Sequence, residues 1–217
     1  ITGVVVTHGT DTLEETAYLL DLIVDSEKPI AVVGAMRNSS ELGYDGSSNL
    51  SAAICTVISK NARNKGVLVV MNNEVNAASE VTKTNTLSLD TFKSPEFGPL
   101  GIVDNDEVIF YREIISKKHI ETEKIEPKVA LIKCGPGMDS DIFDFYIDKN
   151  YKGIIIESLG RGNIPPTMVP GVKKSISKGI PVVMVSRCPT GRVLDTYGYE
   201  GGGKHLRDLG VIFGKNL

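Results

Sequence analysis

The chain has 217 residues, of which 41% are hydrophobic and 24% are charged, and this ordinary globular usage argues against intrinsic disorder. Its 24 Lys and Arg residues and 27 Asp and Glu residues leave a net charge of −3, which disfavours a nucleic-acid-binding protein. There is no apolar run of the ~18 residues that a membrane-spanning helix needs, and the three widely spaced cysteines fit neither a disulfide framework nor a zinc cluster.

The start of the chain predicts a strand, a helix and a second strand. Val4–Val6 and Ile30–Val33 are short apolar runs rich in β-branched residues. Between them apolar residues recur at helical spacing, and Thr12 with Glu15 fits a capping box at the start of that helix. A strand, helix and strand in this order predict a βαβ crossover and therefore a parallel sheet.

The middle of the chain is less regular. Residues 49–61 predict a helix rich in small side chains, and residues 66–71 predict a buried strand. Residues 72–127 contain Gly, Pro, Asn and Asp with short alternating stretches, which predicts hairpins and connecting segments. Residues 117–127 are charged and end in proline, so this stretch is predicted to be a linker.

The strand and helix rhythm resumes after residue 127. Predicted strands and helices alternate there in the order 129–133 (strand), 139–149 (helix), 153–157 (strand), 168–178 (helix) and 180–186 (strand). This pattern predicts a second α/β unit. The expected organisation is a first domain over residues 1–116, a linker over 117–127 and a second domain over 128–217.

Polar residues that follow predicted strands are the first candidates for a site, because ligands bind at the carboxyl ends of strands in open parallel sheets. Thr10 and Asp11 follow the first strand and precede a helix, where backbone N–H groups and the helix dipole favour an anion. The alternative is that both residues, with Thr12, only cap the helix. His8 has no partner visible in the sequence, so it is interpreted as structural.

Two further segments carry candidate chemistry. Lys83 lies among hydroxyl-bearing residues in the sequence VTKTNT, where a lysine of lowered pKa can take a proton from a hydroxyl. The alternative is a solvated loop lysine. Residues 158–166 form a Gly- and Pro-rich loop after a strand, and this loop brings backbone close to a ligand or is an ordinary turn.

Several segments together resemble the bacterial L-asparaginases. The most specific are residues 7–16 (THGTDTLEET), which resemble the second signature of the family and its type II branch, and residues 81–86 (VTKTNT). Other matching segments follow in the family's order: residues 34–37 (GAMR), 45–50 (with DG and NL), 66–72 (GVLVVMN), 162–163 (GN) and 189–191 (PTG). The resemblance therefore runs over nearly the whole chain.

The resemblance implies a fold, a reaction and an assembly. The fold would be α/β, with a larger N-terminal domain built on a mixed or parallel sheet and a smaller, flavodoxin-like C-terminal domain. The enzyme would be an amidohydrolase of asparagine catabolism that converts L-asparagine to L-aspartate and ammonia, with slower hydrolysis of L-glutamine. No metal or organic cofactor is expected. Members form homotetramers, as dimers of intimate dimers, whose active sites join neighbouring subunits.

Matching the motifs residue by residue implies roles. Thr10, Asp11 and Lys83 would form a catalytic Thr-Lys-Asp triad, in which Lys83 carries the proton and Asp11 also binds the substrate's α-ammonium. Gly9 and Ala35 would bring backbone close to the substrate. In the second domain, Asn163 would reach the site of a neighbouring subunit, and Glu200 is the nearest candidate for an acidic residue of the site.

The chain also departs from the family pattern. The family's primary nucleophile is a threonine in a Thr-Gly-Gly-Thr-Ile motif, and the 217 residues do not contain this motif. We therefore expect the chain to be a fragment that is inactive without the preceding segment. Ser26 stands where some type II members have a disulfide cysteine, so that bridge is not expected. The type II likeness suggests a secreted, periplasmic or envelope protein.

Two other functions stay open. An amidotransferase subunit uses the same fold to release ammonia for an acceptor on a tRNA, but the type II-like sequence LEET at residues 13–16 disfavours it. A non-catalytic protein that only binds an amino acid is favoured by the missing nucleophile motif. From the residues alone, the interpretation stops at a two-unit α/β protein with an anion-binding site.

Overall fold

A computed structural model describes residues 1–114 and 117–214, and the chain divides into two compact units, residues 1–123 and 124–217. The predicted end of the first domain at residue 116 and the end of the chain at residues 215–217 lie outside the described residues. Each unit has its own main β-sheet and its own hydrophobic core. We retain residues 117–127 as the proposed linker between the two domains.

In its described residues the first unit contains two α-helices, a 3-10 turn at Lys60–Ala62, a six-stranded sheet and a two-stranded sheet. Its elements in chain order are β1 (Val4–Thr7), α1 (Leu13–Ile23), β2 (Ile30–Val33), α2 (Gly46–Ile58), β3 (Val67–Met71), β4 (Glu74–Ala77), β5 (Thr82–Lys83), β6 (Phe92–Lys93), β7 (Gly101–Asp104) and β8 (Glu107–Phe110). The large sheet has the order β1-β2-β3-β4-β7-β8, and β5 pairs with β6.

The parallel half of the large sheet follows from the predicted crossovers. Strands β1, β2 and β3 pair in parallel, and both α1 and α2 pack against β3. All five residues of β3 are buried, as expected for a strand covered on both faces. Ala52 and Ala53 of α2 are buried in the same core. Their small side chains let the helix approach the sheet closely. The predicted βαβ unit is therefore confirmed.

The antiparallel half is made of hairpins at two tight turns. Asn72 and Asn73 have φ values of 50° and 60° between β3 and β4, and Asn105 and Asp106 have φ values of 46° and 63° between β7 and β8. Two-residue hairpin turns favour positive φ at both positions, and Asn and Asp tolerate it better than most residues. The hairpins expected in the irregular middle of the chain are thus present.

The second unit is an α/β unit with a four-stranded parallel sheet of order β12-β11-β10-β9. Its elements are β9 (Val129–Lys133), α3 (Asp141–Asp148), β10 (Gly153–Ser158), α4 (Val169–Ser177), β11 (Val182–Ser186), α5 (Gly203–Asp208) and β12 (Ile212–Phe213). The fold class, a larger unit on a mixed sheet and a smaller unit on a parallel sheet, is confirmed. No helix in the described part of the chain has the length and apolar character to cross a bilayer.

The predicted capping box at the start of α1 is wrong. Thr12 has a φ of −126° and a ψ of 24°, and its side chain makes no capping hydrogen bond. A capping side chain reaches the amides of the first turn when its residue has extended backbone, and a ψ near 24° does not give this geometry. Glu15, the predicted second member of the box, is exposed.

Asp21 is a buried carboxylate on α1 that ties this helix to β3. Its Oδ1 accepts a hydrogen bond from the amide of Val67 at 2.9 Å, and the residue is only 7% exposed. Burial raises the pKa of Asp21, although the Val67 amide and the charge of Lys117 act in the opposite direction. A raised pKa means that the charged form of this side chain is less favourable in the folded state than in the unfolded state.

We therefore expect Asp21→Asn to stabilise the protein at neutral pH. Asparagine keeps an oxygen for the Val67 amide and removes the buried charge, so the apparent Tm should rise by about 2–4 °C at pH 7. The gain should shrink as the pH falls through the raised pKa of Asp21. It should vanish below pH 3.8, the ordinary pKa of an aspartate, because the wild-type carboxylate is then neutral in both the folded and the unfolded state. Thermal melts at several pH values test this, with exposed Asp25→Asn as the control; a gain that grows toward acid pH would contradict it.

Candidate active site

Thr10 and Asp11 lie in the loop between β1 and α1, at the carboxyl end of a parallel strand. The amide of His8 donates to the Val33 carbonyl at 2.8 Å, so this loop runs beside the end of β2. Gly34 permits the approach, because a Cβ there would stand 2.7 Å from the His8 carbonyl oxygen and 3.1 Å from Thr10 Cγ2. The predicted polar cluster therefore lies where ligands bind in open parallel sheets.

Lys83 lies on β5, and its ammonium reaches the loop after β1. Its Nζ donates to Thr10 Oγ1 at 3.0 Å and to Asp11 Oδ1 at 2.9 Å. The Lys83 side chain is 19% exposed, so the alternative of a fully solvated loop lysine is wrong. The structure thus brings together three candidate residues that are 72 or 73 positions apart in the sequence.

The charges of this cluster are complementary. The hydrogen bond from Lys83 and its positive charge lower the pKa of Asp11, so this carboxylate is ionised at neutral pH. The Asp11 side chain is 95% exposed, which leaves it open to a ligand as well as to Lys83. Because water screens such an exposed pair, it contributes little to stability. The arrangement offers a hydroxyl, an amine nitrogen and a carboxylate to one small molecule.

Glu14 is a member of this cluster that sequence reasoning missed. From the first turn of α1, its Oε1 accepts a hydrogen bond from Thr82 Oγ1 at 2.9 Å, and its Oε2 accepts one from the backbone amide of Lys83. Nothing local distinguishes Glu14 from Glu15, since both are acidic residues at the start of the same helix. The partners of Glu14 lie 68 and 69 positions away, so no sequence pattern could have identified it.

The loop after β2, which contains the predicted site residue Ala35, is held by Asp45 and Asn49. The amides of Met36 and Arg37 donate to the two carboxylate oxygens of Asp45 at 2.9 and 3.0 Å. Burial raises the pKa of Asp45, but these hydrogen bonds outweigh it and lower the pKa overall. Ala35 is half-buried within this loop.

Asn49 connects the loops that follow β2 and β3. It is 2% exposed, and its Nδ2 donates to the Gly34 carbonyl at 3.0 Å and to Asp45 Oδ2 at 2.9 Å. Its Oδ1 accepts a hydrogen bond from the amide of Asn72, directly after β3, at 2.9 Å. The Asp45 and Asn49 side chains therefore give the ends of these neighbouring strands a fixed shape.

Gly9 and His8 complete the loop after β1. Gly9 is exposed, with open space where a Cβ would stand, so its backbone is accessible to a ligand. His8 Nε2 lies 2.9 Å from Thr16 Oγ1, and this contact ties the loop to α1. This partner is consistent with the structural interpretation of His8.

The remaining predicted site residues, Asn163 and Glu200, lie in the second unit. Asn163 follows the turn at Gly160–Gly162. The Leu159 amide donates a hydrogen bond to the Asn163 carbonyl at 2.8 Å, and the Asn163 amide donates one to the Leu159 carbonyl at 3.0 Å. Its side-chain Oδ1 is buried and has no hydrogen-bond partner among the described residues. Glu200 is exposed in the segment before α5.

An open depression of about 600 Å³ lies at the same end of the large sheet, beside the loops after β2 and β3. Its lining residues are Arg37, Asn72, Leu87, Ser88, Leu89 and Asp90. The candidate site considered below is the cluster at Lys83, whose Nζ donates directly to both a hydroxyl and a carboxylate. Within residues 1–114 and 117–214, no three His, Cys, Asp or Glu side chains cluster closely enough to hold a metal ion.

Comparison with protein families gives two matches in sequence order. Residues 1–116 match the family description "Asparaginase, N-terminal", and residues 128–217 match "Glutaminase/Asparaginase C-terminal domain". The structure is similar to that of a probable cytoplasmic L-asparaginase from Campylobacter jejuni, with a TM-score of 0.91 and 36% identity. This likeness covers 100% of the chain and 69% of the Campylobacter chain.

Curated relatives bear two kinds of name. The chain is 36% identical to an L-asparaginase of Bacillus licheniformis and 42% identical to a probable periplasmic L-asparaginase of Haemophilus influenzae, over 99% and 87% of its own length. It is also 38% identical, over 97% of its length, to a glutamyl-tRNA(Gln) amidotransferase subunit of Pyrococcus abyssi. The chain spans 66%, 56% and 50% of these three relatives, respectively.

Proposed function

The chain belongs to the asparaginase/glutaminase family, and on this premise we propose that the complete protein hydrolyses L-asparagine to L-aspartate and ammonia. The observation that carries the proposal is the contact of Lys83 Nζ with Thr10 Oγ1 at 3.0 Å and Asp11 Oδ1 at 2.9 Å. The names of the asparaginase relatives support the same substrate. Slower hydrolysis of L-glutamine is part of the proposal.

In this reaction Thr10 and Lys83 handle protons. The Thr10 oxygen accepts a hydrogen bond from Lys83 and still has its own proton to donate, so it can orient a water molecule or the reacting amide. As Thr10 gives up its proton, Lys83 donates one to the Thr10 oxygen through Nζ, and it takes a proton back when Thr10 is reprotonated. The ionised Asp11 keeps the Lys83 nitrogen in place. The hydroxyl of the nucleophilic threonine adds to the amide carbon, the C–N bond breaks, and the nitrogen takes up a proton and leaves as ammonia. Water then adds to the carbon of the resulting ester, the ester C–O bond breaks, and the threonine oxygen takes back a proton as L-aspartate leaves.

Substrate recognition uses the remaining groups of the site. Asp11 is exposed enough to accept a hydrogen bond from the substrate's α-ammonium while it contacts Lys83. The start of α1 favours the substrate carboxylate, because its first backbone amides carry partial positive charge. The Ala35 carbonyl contacts the side-chain amide of the substrate. The backbone of Gly9 lies close to the substrate as a whole.

The proposed assembly is a homotetramer in which the second domain of a neighbouring subunit completes each site. Asn163 is the residue that would contribute across the subunits, and its buried Oδ1 has no partner among the described residues of one chain. Glu200 is the candidate for the acidic residue that the second domain contributes to the site. The primary nucleophile is proposed to be the threonine of the family's Thr-Gly-Gly-Thr-Ile motif, which the 217 residues do not contain.

The decisive experiment is ammonia release by the purified complete protein. We expect turnover of L-asparagine, slower turnover of L-glutamine and little turnover of D-asparagine, which serves as the stereochemical control. A folded protein that binds L-aspartate without releasing ammonia would contradict the proposal and favour a binding protein.

The second candidate function is that of an amidotransferase subunit, which the similarity to the Pyrococcus abyssi protein favours. The asparaginase from Haemophilus influenzae is the more similar of these two relatives, with 42% against 38% identity. The same assay separates the two functions. Release of ammonia from free L-asparagine by the protein alone supports the hydrolase, whereas a requirement for a partner protein and an aminoacylated tRNA supports the amidotransferase.

A further inference from the structure

Strand β5, which carries Lys83, has little support of its own. It is two residues long and pairs with the equally short β6, with Thr82 opposite Lys93 and Lys83 opposite Phe92, and the Thr84 amide continues the ribbon by donating to the Thr91 carbonyl at 2.9 Å. An isolated two-stranded ribbon of this length is not stable by itself, so its position depends on contacts from outside the ribbon. The position of the Lys83 ammonium therefore depends on whatever holds this strand.

Glu14 supplies such a contact. Its carboxylate accepts hydrogen bonds from the Thr82 hydroxyl at 2.9 Å and from the Lys83 amide, and thus binds consecutive residues of β5. The same segment of chain also carries Thr10 and Asp11, which contact the other end of Lys83. One stretch from residue 10 to residue 14 therefore holds Lys83 at both its backbone and its ammonium.

We propose that Glu14 is a positioning residue for Lys83, an inference that rests on the proposed function of the triad. A lysine side chain has four rotatable bonds, so its ammonium reaches a hydroxyl reproducibly only when its backbone is fixed. Glu14 fixes that backbone relative to the loop after β1. It does not touch the substrate in this proposal, and it acts through β5.

The alternative is that Glu14 merely stabilises the start of α1, where acidic residues interact favourably with the helix dipole. Glu15 provides the matched comparison, because it is an acidic residue in the same helical turn but is exposed. A dipole effect predicts similar consequences for both residues. A positioning role predicts an effect on turnover for Glu14 alone.

The test compares Glu14→Ala, Glu14→Gln and Glu15→Ala in the complete protein. Glu14→Ala should lower kcat for L-asparagine by about 10- to 100-fold, because a misplaced catalytic group slows the reaction by this order, while KM stays within about threefold. Glutamine can accept from the Lys83 amide through its oxygen and donate to Thr82 through its nitrogen, so Glu14→Gln should recover at least about fivefold of that loss. Glu15→Ala should match the wild type.

Hydrogen exchange at the Lys83 amide gives a readout that does not need activity. We expect this amide to exchange about tenfold faster or more in Glu14→Ala than in the wild type or in Glu15→Ala, since its acceptor has been removed. If the wild-type protein releases no ammonia, the proposed function fails, and the exchange measurement alone decides on Glu14. An unchanged exchange rate, or an unchanged kcat in Glu14→Ala of an active enzyme, overturns the positioning role.

Discussion

Replacing Lys83 with methionine is expected to lower kcat for L-asparagine by about 10²- to 10⁴-fold, which is the usual contribution of a group that carries a proton in the transition state. Methionine has a similar length and keeps the apolar packing, but it removes the nitrogen that contacts Thr10 at 3.0 Å and Asp11 at 2.9 Å. KM should change much less than kcat, because in the proposed mechanism Lys83 acts on the reacting atoms rather than on the substrate's ends.

Steady-state ammonia release by the complete protein measures this effect. Lys93→Met is the matched control, since Lys93 lies on the neighbouring strand β6 but pairs with Glu74 at 2.8 Å instead of the triad. The control should retain kcat within about threefold, in contrast with the loss expected for a proton carrier. Activity within about tenfold of the wild type in Lys83→Met would show that the triad assignment is wrong.

Replacing Asp11 with alanine is expected to impair both substrate binding and turnover. The carboxylate is proposed to bind the α-ammonium of L-asparagine, and a charge-assisted hydrogen bond of this kind contributes about 1.5–3 kcal/mol, so KM should rise about 10- to 100-fold. The same change frees the Lys83 ammonium from its partner at 2.9 Å, so kcat should fall as well.

Two comparisons separate these effects. Asp11→Asn keeps the shape and one oxygen but removes the charge, so it should raise KM nearly as much as alanine does. Asp144→Ala removes another carboxylate that pairs with a lysine, Lys174 at 2.7 Å, and this control should leave both constants unchanged. An intact KM in Asp11→Ala would contradict the ammonium-binding role.

The position of Thr10 and Asp11 on the fold was predictable from the sequence because it depends on local signals. The β-branched residues of Val4–Val6 predict a strand. The polar residues that come directly after it are therefore at its carboxyl end, where ligands bind in open parallel sheets. Lys83 was selected from the hydroxyl-rich residues around it and from the family resemblance. The family resemblance implied that Lys83 meets Thr10 and Asp11, but local patterns alone could not show it, because Lys83 lies 73 and 72 positions from them.

Residues that support the site were not predictable in the same way. Asn49 was expected as the first residue of a helix and as part of a segment that matches the family, but α2 begins at Gly46 and Asn49 is a buried residue that connects two loops. Glu15 was expected to act in a capping box, yet its neighbour Glu14 has the long-range contacts. In both cases the residue that supports the site, Asn49 or Glu14, is a polar side chain with hydrogen-bond partners from distant parts of the chain.

The sequence by itself determined the α/β class, the alternation of strands and helices and the polar loop at the end of β1, because hydrophobic periodicity and turn residues act over a few positions. Only the tertiary structure decided that β4, β7 and β8 extend the first sheet in antiparallel fashion and that the short strand β5 lies against α1. Pairing between distant strands and hydrogen bonds of buried or half-buried side chains depend on how the whole unit packs, and a local pattern carries no information about that packing.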